Sequence, residues 1–318
     1  MDNLTHSLTG LMFSRAGLNR FHPRASLILM LGTNAPDVDV VSWFGGLATY
    51  LEYHRGITHS LAFMPVMAML PVVLLGLFGR SWVGWRAAYL LSLIAVASHL
   101  LLDWTNTYAI RLLLPFSGEW LHLDWLFVFD AWVWAALLLA VVGPLLGRLV
   151  SSEIGAKPGS GRGLAIFALV FFAAYGFGRS LLHGRAIETL NSRIYQGTAP
   201  TRVAAFPGPI NPLRWTGWVE TDRSATRFDV NLADDFDPAA GTVFYKPEPS
   251  PAIEAARRTT VFQSFLQFSI YPLWSVTPAA EPEGATLVQI TDERFAFGVS
   301  AIVDRSNRVV RSWPRLGN

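Results

Sequence analysis

The sequence contains no cysteine. Disulfide bonds and thiolate metal ligands are therefore excluded, and any metal ion must be held by nitrogen and oxygen. Charged residues are also scarce, because Asp, Glu, Lys and Arg make up only 15% of the 318 residues, against about 25% in a typical soluble domain. The formal net charge of +2 is too small to indicate a nucleic acid partner. With 52% hydrophobic residues, this composition predicts an integral membrane protein.

Four uncharged or nearly uncharged apolar segments come close to the length of a membrane-spanning helix, about 17 to 25 residues. They are residues 61–79, 87–102, 131–147 and 163–178. Two earlier segments, 4–18 and 25–44, are also apolar, but the second contains Pro36, Asp37 and Asp39. For this beginning of the chain the pattern predicts short, re-entrant or broken helices.

Basic residues are concentrated in alternate connections between these segments. Three connections contain Arg15, Arg20, Arg24, Arg80, Arg86, Arg148, Lys157 and Arg162. The other connections contain only Arg55 and Arg111 before residue 179. By the positive-inside rule, the first set faces the cytoplasm. We therefore predict a multi-pass membrane protein with these connections in the cytoplasm.

The composition changes after about residue 184, where Pro, Asp and Arg become frequent. Segments rich in β-branched and aromatic residues, bounded by turn formers, predict strands at 214–221, 225–232, 242–246, 285–290 and 295–303. The best helix candidate is 251–268, with Pro251 at its start. The predicted fold is an α-helical integral membrane bundle over residues 1–183, followed by an extracytoplasmic, soluble α+β domain over residues 184–318.

Seven common metal ligands lie near the ends of the apolar segments in the first third of the chain. They are His6, Asp37, Asp39, His54, His59, His99 and Asp103. An isolated polar group in an apolar setting is costly, so ionisable residues at membrane depth usually mark a site. The predicted topology places all seven on the extracytoplasmic side. We interpret them as a membrane-embedded metal site.

Two pairs within this set have spacings that bring side chains together. His99 and Asp103 are four residues apart, so on a helix they project from one face; the alternative is a buried His–Asp hydrogen bond without metal. Asp37 and Asp39 follow Pro36, which favours an extended segment whose alternate residues point to one side. The alternative for this pair is an exposed Asp-rich turn.

The segment His54-Arg55-Gly56-Ile57-Thr58-His59 is the most specific pattern. Gly56 allows the chain to reverse so that the two imidazoles converge. Arg55 offers a planar fork of donors for a phosphate or carboxylate. The alternative is an interfacial loop whose Arg and His meet lipid headgroups.

These residues resemble the YdjM-like inner-membrane proteins, which are described as predicted metal-dependent hydrolases. The matching motifs over about residues 1–135 are Thr5-His6-Ser7, Ala35-Pro36-Asp37-Val38-Asp39, His54 to Ser60, Ser98-His99 to Asp103-Trp104-Thr105-Asn106-Thr107, Leu112 to Ser117 and Leu123-Asp124-Trp125. Longer members are also similar over Phe206 to Trp215. Ala109 and Ala131 depart from the family pattern in loops and leave the ligand set intact.

The resemblance implies hydrolysis assisted by a divalent metal, with zinc as the expected ion. The order of the His and Asp residues is also similar to that in zinc-dependent phospholipase C and the S1/P1 nucleases, which suggests a phosphoester. The expected ligands are His6, Asp37, Asp39, His59, His99 and Asp103. Six ligands exceed the need of one tetrahedral zinc, so two or more ions are expected.

Three further residues have predicted catalytic roles. Arg55 would hold the anionic part of the substrate and stabilise charge in the transition state. His54 would be a further ligand or a general acid, and Asp124 a ligand, a base or a group that orients an imidazole. A site at the outer surface of the lipid bilayer favours a lipid or lipid-linked substrate.

Two other functions use the same residues. A transporter would carry a metal ion or protons along the His and Asp side chains, but such a path needs polar groups through the whole membrane thickness. Alternatively, the metal would be structural and would support the C-terminal domain as a binding module. In that case the ligands would be essential and Arg55 dispensable.

Overall fold

The computed structural model describes residues 1–79, 82–153, 155, 159–295 and 297–316. Arg80 and Lys157, two of the basic residues in the predicted cytoplasmic connections, lie outside the described residues. The α-helices, in chain order, are α1 Asn3–Ala16, α2 Ala25–Gly32, α3 Leu47–Tyr53, α4 Met64–Gly79, α5 Trp85–Trp104, α6 Ala131–Glu153, α7 Arg162–Asn191, α8 Pro251–Arg257 and α9 Thr260–Phe268. Short 3-10 helices cover Leu18–Phe21, Pro36–Gly45 and Ile57–His59.

Three of the described helices are long and apolar enough to cross a membrane. They are α5, α6 over Ala131–Ser151, and α7. Helix α4 has only 16 residues, fewer than the roughly 20 that a bilayer requires. The predicted segments at 87–102, 131–147 and 163–178 therefore correspond to candidate spans, and the segment at 61–79 does not reach that length by itself.

The two apolar segments at the beginning of the chain form short helices, as the sequence predicts. Asp2 caps α1 by accepting from the backbone N–H groups of Leu4 and Thr5, and α1 ends at Gly17, which has φ 140°. Helix α2 has only eight residues. The chain then enters the 3-10 helix that begins at Pro36, a residue that cannot continue an α-helix.

Two glycines allow α2 to lie close to its neighbours. A Cβ atom on Gly10 of α1 would lie 2.7 Å from the carbonyl oxygen of Leu29, and one on Gly32 would lie 2.7 Å from the Cβ of Ala95 in α5. Close approach of helix backbones through small residues is typical of membrane helices. As a result, the C-terminal end of α2 lies against the middle of α5.

The packed core of the helical region has two parts. The first lies between α2, α4 and α5 and includes Ile28, Leu29, Val72, Leu91 and Ala95. The second lies between α1, α6 and α7 and includes Met12, Val133, Leu137, Ala140 and Ala168. Large apolar side chains on α6 and α7, such as those of Leu146 and Val170, are exposed, as expected for helices that face lipid.

The C-terminal region contains two four-stranded antiparallel sheets. Their strands are β1 Arg202–Pro207, β2 Arg214–Glu220, β3 Ser224–Asn231, β4 Thr242–Tyr245, β5 Pro272–Pro278, β6 Thr286–Asp292, β7 Phe297–Val303 and β8 Val309–Leu316. The spatial order is β1-β2-β3-β4 in one sheet and β5-β6-β7-β8 in the other. This confirms a helical N-terminal region followed by a strand-rich domain.

The helix predicted over 251–268 is two helices instead of one. Arg258 ends α8, and Thr259 adopts an extended conformation (ψ 145°) with its side chain accepting from the backbone N–H of Phe262. Ser and Thr at this position satisfy backbone N–H groups that a new helix leaves free. The cap therefore starts α9 as a separate helix.

The chain divides into two compact units. The helical unit comprises 1–39, 55–185 and 207–214, and the second unit comprises 40–54, 186–206 and 215–318. Helix α3 belongs to the second unit, where it packs against α9. The chain thus leaves the helical unit after Asp39 and returns to it at Arg55.

Candidate metal centre

Four predicted ligands converge within the helical unit. Asp37 lies in the 3-10 helix Pro36–Gly45, His59 in the 3-10 helix Ile57–His59, and His99 and Asp103 in the last two turns of α5. One ligand atom from each lies within 4.8 Å of all the others. His59, His99 and Asp103 are fully buried, whereas the Asp37 side chain keeps 15% of its surface exposed.

The distances between the donor atoms match those around a small divalent ion. His59 Nε2 lies 3.1 Å from His99 Nε2, 3.4 Å from Asp37 Oδ1 and 3.6 Å from Asp103 Oδ2. His99 Nε2 lies 3.7 Å from Asp37 Oδ1 and 3.5 Å from Asp103 Oδ2. Tetrahedral zinc with ligand distances of about 2.0–2.2 Å would require edges of roughly 3.3–3.6 Å.

His99 is oriented by the backbone of α2. Its Nδ1 lies 2.7 Å from the carbonyl oxygen of Thr33, the residue directly after that helix. A carbonyl can only accept, so Nδ1 carries the proton and donates it. The neutral ring therefore presents its lone pair on Nε2, toward the other three ligands.

His59 is oriented by Asp39 and Thr58. The Thr58 hydroxyl donates to Asp39 Oδ2 at 2.8 Å and lies 3.0 Å from His59 Nδ1; the Asp39 oxygen itself is 3.3 Å from that nitrogen. Because the hydroxyl proton is already used, both neighbours can only accept from Nδ1. In its neutral form, the ring of His59 therefore also presents its lone pair on Nε2.

The four donor atoms are mutually repulsive without a cation. Two imidazole lone pairs and two carboxylate oxygens face one another, and three of the four residues are fully buried. Buried lone pairs of this kind require a proton or a metal ion between them. The donor set therefore fits a divalent cation.

Asp37 is the partly exposed member of the set. Its Oδ2 accepts from the Asn3 side-chain amide at 2.9 Å, leaving Oδ1 for the centre. Burial would raise the pKa of this carboxyl, but the neighbouring His59, His99 and Arg55 side chains outweigh burial and hold the pKa well below its usual range. The carboxylate is thus ionised and able to bind a cation at neutral pH.

Asp103 is surrounded by donors. Arg55 Nη2 lies 3.1 Å from Oδ2, His6 Nε2 lies 3.1 Å from Oδ1, and Asn106 Nδ2 lies 3.3 Å from Oδ1. The α-amino group of Met1 also contacts Oδ1. Burial lowers the pKa of His6 well below its usual value, so the ring is neutral near pH 7 and positions the Asp103 carboxylate from behind the centre.

Arg55 has a strained backbone that fixes it beside the centre. Its φ is 55°, in the left-handed region that non-glycine residues seldom adopt, and its N–H donates to Asp39 Oδ2 at 2.8 Å. The guanidinium lies over the Tyr108 ring at 4.4 Å and donates to Asn106 Oδ1 at 3.4 Å. Gly56, which follows, has φ −87° and ψ −124°, a combination outside the regions that other residues favour, so Arg55 and Gly56 both contribute to the reversal of the chain.

Besides Arg55, four further predicted site residues lie outside the four-donor set. Asp39 contacts the far nitrogen of His59, and His6 contacts Asp103 instead of the other donors. Asp124 has φ 55° and pairs with His122 Nδ1 at 2.7 Å. His54 belongs to the second unit, where its ring stacks on Tyr50 with centroids 4.4 Å apart.

Several residues that support the centre were not identified from the sequence. They are Asn3, Thr33, Thr58, Asn106 and Tyr108. Asn106 could have been identified from the sequence, because it lies one helical turn after Asp103 in the motif that this chain shares with the YdjM-like proteins. Nothing in the sequence indicates Thr33, because it acts through its backbone carbonyl, which every residue possesses.

Comparisons with known proteins identify a family for most of the helical unit. The model of the family described as "YdjM inner membrane protein" matches residues 1–186. The chain is also 29% identical over 152 residues to the "Uncharacterized protein YfhP" of Bacillus subtilis (strain 168). That match covers 44% of this chain and 45% of the relative, so the chain spans less than half of the relative's length. No solved structure matches.

Proposed function

We propose that this chain, which belongs to the YdjM inner membrane protein family, is a metal-dependent hydrolase that acts on a phosphoester or lipid-linked substrate at the outer face of the membrane. The observation that carries the proposal is the arrangement of the two histidines. Their Nδ1 atoms are engaged by Thr33 on one ring and by Thr58 and Asp39 on the other. Their Nε2 lone pairs therefore face each other and two carboxylates.

Asp37, His59, His99 and Asp103 would hold the ion. Two imidazoles and two carboxylates suit zinc, for which four nitrogen and oxygen ligands are sufficient. When bound, a divalent ion would lower the pKa of a bound water and polarise the scissile group. In this arrangement His6 and Asp39 would orient the ligands Asp103 and His59. The number of ions, predicted from the sequence as two or more, is to be measured by metal analysis.

Arg55 would bind the anionic group of the substrate. Its Nη2 is 3.1 Å from Asp103 Oδ2, so an anion at the centre would be within reach of the guanidinium. Asn106 and Tyr108 hold that guanidinium in place, which limits the entropy lost on binding. The same contact neutralises the Asp103 carboxylate, so Arg55 supports both the ligand set and the substrate.

The position of the centre favours a lipid or lipid-linked substrate. His99 and Asp103 lie near the end of candidate span α5, which finishes at Trp104. In a membrane, this end of the helix would lie near the headgroup layer, where Trp residues are enriched. Asp37 is the partly exposed ligand and marks the side from which a headgroup would approach.

The test combines metal analysis of the purified protein with a hydrolysis screen on phosphomonoesters, phosphodiesters and phospholipids. Wild type should contain a divalent metal and hydrolyse at least one class, with activity lost on chelation and restored by metal. Arg55→Lys should keep its metal and lose about 10²-fold in turnover, the scale for one transition-state donor. Arg111→Lys is the matched control, because Arg111 also lies over an aromatic ring at 4.4 Å, that of Trp120.

Four outcomes would contradict the proposal or one of its parts. A protein that binds no divalent metal would refute the centre itself. Metal binding with no hydrolysis, but with metal uptake into proteoliposomes, would favour the transporter. Loss of metal in Arg55→Lys would assign the arginine to the ligand set alone, and full activity in that variant would remove its role with the anion.

A further inference from the structure

A second candidate site lies at the other end of the helices that carry the metal centre. A cleft of about 360 Å³ opens between the connection that follows α1 and the connection that precedes α5. Its polar and aromatic lining is Phe21, His22, Arg24, Trp82 and Trp85, and its floor is formed by Val72, Leu75 and Ala88. All of these residues belong to the helical unit. The volume is in the range of small-ligand sites.

Three side chains of the lining are seated on glycines. The Trp82 ring packs on Gly76 so closely that a Cβ there would lie 2.5 Å from it. A Cβ on Gly79 would overlap the guanidinium of Arg24, and one on Gly84 would lie 3.1 Å from the His22 ring. The cleft is therefore a packed feature in which the glycines set the position of the aromatic and basic groups.

His22 joins the two connections that form the cleft. Its Nδ1 accepts from the backbone N–H of Arg24 at 3.0 Å, and its Nε2 lies 3.4 Å from the carbonyl oxygen of Val83. Because Nδ1 accepts, the proton of the neutral ring is on Nε2 and is directed at that carbonyl. The imidazole thus holds the Arg24 backbone against the start of α5.

The charge at this end is of one sign. Arg20, Arg24 and Arg86 are exposed, and Arg20 and Arg86 lie over the rings of their neighbours Phe21 and Trp85 at 4.7 and 5.6 Å. The sequence has no Asp or Glu in residues 3–36 or 53–102. Among the described residues, none of the three arginines has a carboxylate partner. An anion would complement their charge.

We propose that this cleft binds the headgroup phosphate of an anionic phospholipid. Helix α5 has 20 residues, so its two ends are about 30 Å apart, close to the thickness of the hydrocarbon core. If the metal centre lies at one headgroup layer, the cleft lies at the other. Basic pockets between helices at the cytoplasmic face are typical sites for anionic lipids.

The aromatic rim distinguishes a lipid from a soluble anion. Phe21, Trp82 and Trp85 are about half exposed, and Val83 is 85% exposed. Exposed aromatic and apolar side chains next to unpaired arginines match the boundary between phosphate groups and acyl chains. A soluble phosphate would leave this apolar surface in water. The inference is independent of the proposed hydrolase activity.

The test is native mass spectrometry of the purified protein in detergent, titrated with dioleoylphosphatidylglycerol or dioleoylphosphatidylcholine. Wild type should bind phosphatidylglycerol at least about fivefold more tightly, the scale for one basic group at a membrane surface. Arg24→Gln should remove most of that preference. Gly79→Ala should do the same without changing any charge, because its methyl group displaces the flexible end of Arg24.

The control is Arg148→Gln, which removes an exposed arginine of α6 outside the cleft. It should leave the preference unchanged, and circular dichroism should show that all variants keep the wild-type helix content. Equal binding of the two lipids by wild type would overturn the proposal. The proposal would also be overturned if Arg148→Gln reduced the preference for phosphatidylglycerol as much as Arg24→Gln does. Displacement of the lipid by millimolar inorganic phosphate would assign the cleft to a soluble anion instead.

Discussion

The two ends of α5 carry polar groups of opposite electrostatic character. At its C-terminal end, His99 and Asp103 are fully buried and converge with two more acceptors on one point. At its N-terminal end, Trp85 and Arg86 are exposed, as are Arg20 and Arg24 near the cleft. One end concentrates lone pairs, and the other presents unpaired positive charge.

This difference shows how burial determines what a polar cluster can bind. Buried acceptors cannot be satisfied by water, so they need a proton or a cation that fits among them. Exposed arginines are hydrated without a ligand. The free energy gained when they bind an anion is therefore only the part that exceeds the free energy of that hydration. We therefore expect metal binding at the buried end to depend strictly on each ligand residue. At the exposed end, we expect each arginine to change anion binding by a smaller, graded amount.

The largest expected effect concerns the sides of the membrane that the two ends face. Since the chain has no cysteine, single cysteines report without background. Asn19→Cys near the arginine end should react with an impermeant maleimide only after lysis, whereas Ala240→Cys in the second unit should react in intact cells with a permeabilised outer membrane. Both positions are exposed. The reverse pattern would invert the proposed topology.

Removal of a ligand should abolish metal binding at the buried end. His59→Ala, His99→Ala and Asp103→Ala should each weaken binding by more than about 100-fold, because loss of a group that merely orients a ligand already costs about 10- to 100-fold. Arg24→Gln, at the exposed end, should keep its full metal content. The measurement is metal stoichiometry after dialysis against a weak chelator. Unchanged stoichiometry in all three alanine variants would refute the four-donor centre.

The sequence contained enough information for the helical half of the centre but not for its loops. A four-residue spacing defines a face of α5 wherever that helix packs, so His99 and Asp103 could be paired in advance. The Asp37 and Asp39 pair was assigned to one side because an extended segment was assumed. The segment is a 3-10 helix with about three residues per turn, so positions two apart point in different directions.

Some edge strands could not be predicted from the sequence either. The strands that were missed, β1, β5 and β8, all lie at sheet edges. They contain or end at Pro207, Pro272, Pro278 and Pro314, and proline is tolerated at edges because no neighbouring strand needs its missing N–H group. A residue pattern that normally argues against a strand is therefore characteristic of an edge, which only the assembled sheet reveals.

Asp39→Asn tests whether the support of His59 matters as much as the geometry indicates. The carboxylate accepts from Arg55 N and Thr58 Oγ1 and faces His59 Nδ1. An amide that turns its NH₂ toward Nδ1 would favour the tautomer of His59 with the proton on Nε2, which cannot bind a metal through that atom. Metal affinity should therefore fall by about 10- to 100-fold. Asp124→Asn is the control, because its partner is His122. An equal loss in Asp124→Asn would place that carboxylate within the centre after all.

Thr58→Val should give the smallest effect at the buried end. The substitution keeps the shape of the side chain and removes the hydroxyl that donates to Asp39 and accepts from His59 Nδ1. Asp39 Oδ2, at 3.3 Å, can accept from that nitrogen in place of the hydroxyl, so the net loss is the hydrogen bond from Thr58 to Asp39. A net contribution of about 1 kcal/mol for such a bond corresponds to about fivefold weaker metal binding in a competitive chelator titration. Thr49→Val, which removes a hydroxyl from α3 that donates to the Gly45 carbonyl, should not change the affinity. If Thr58→Val weakened binding as much as Asp39→Asn, the hydroxyl and not the carboxylate would be the group that fixes the tautomer of His59.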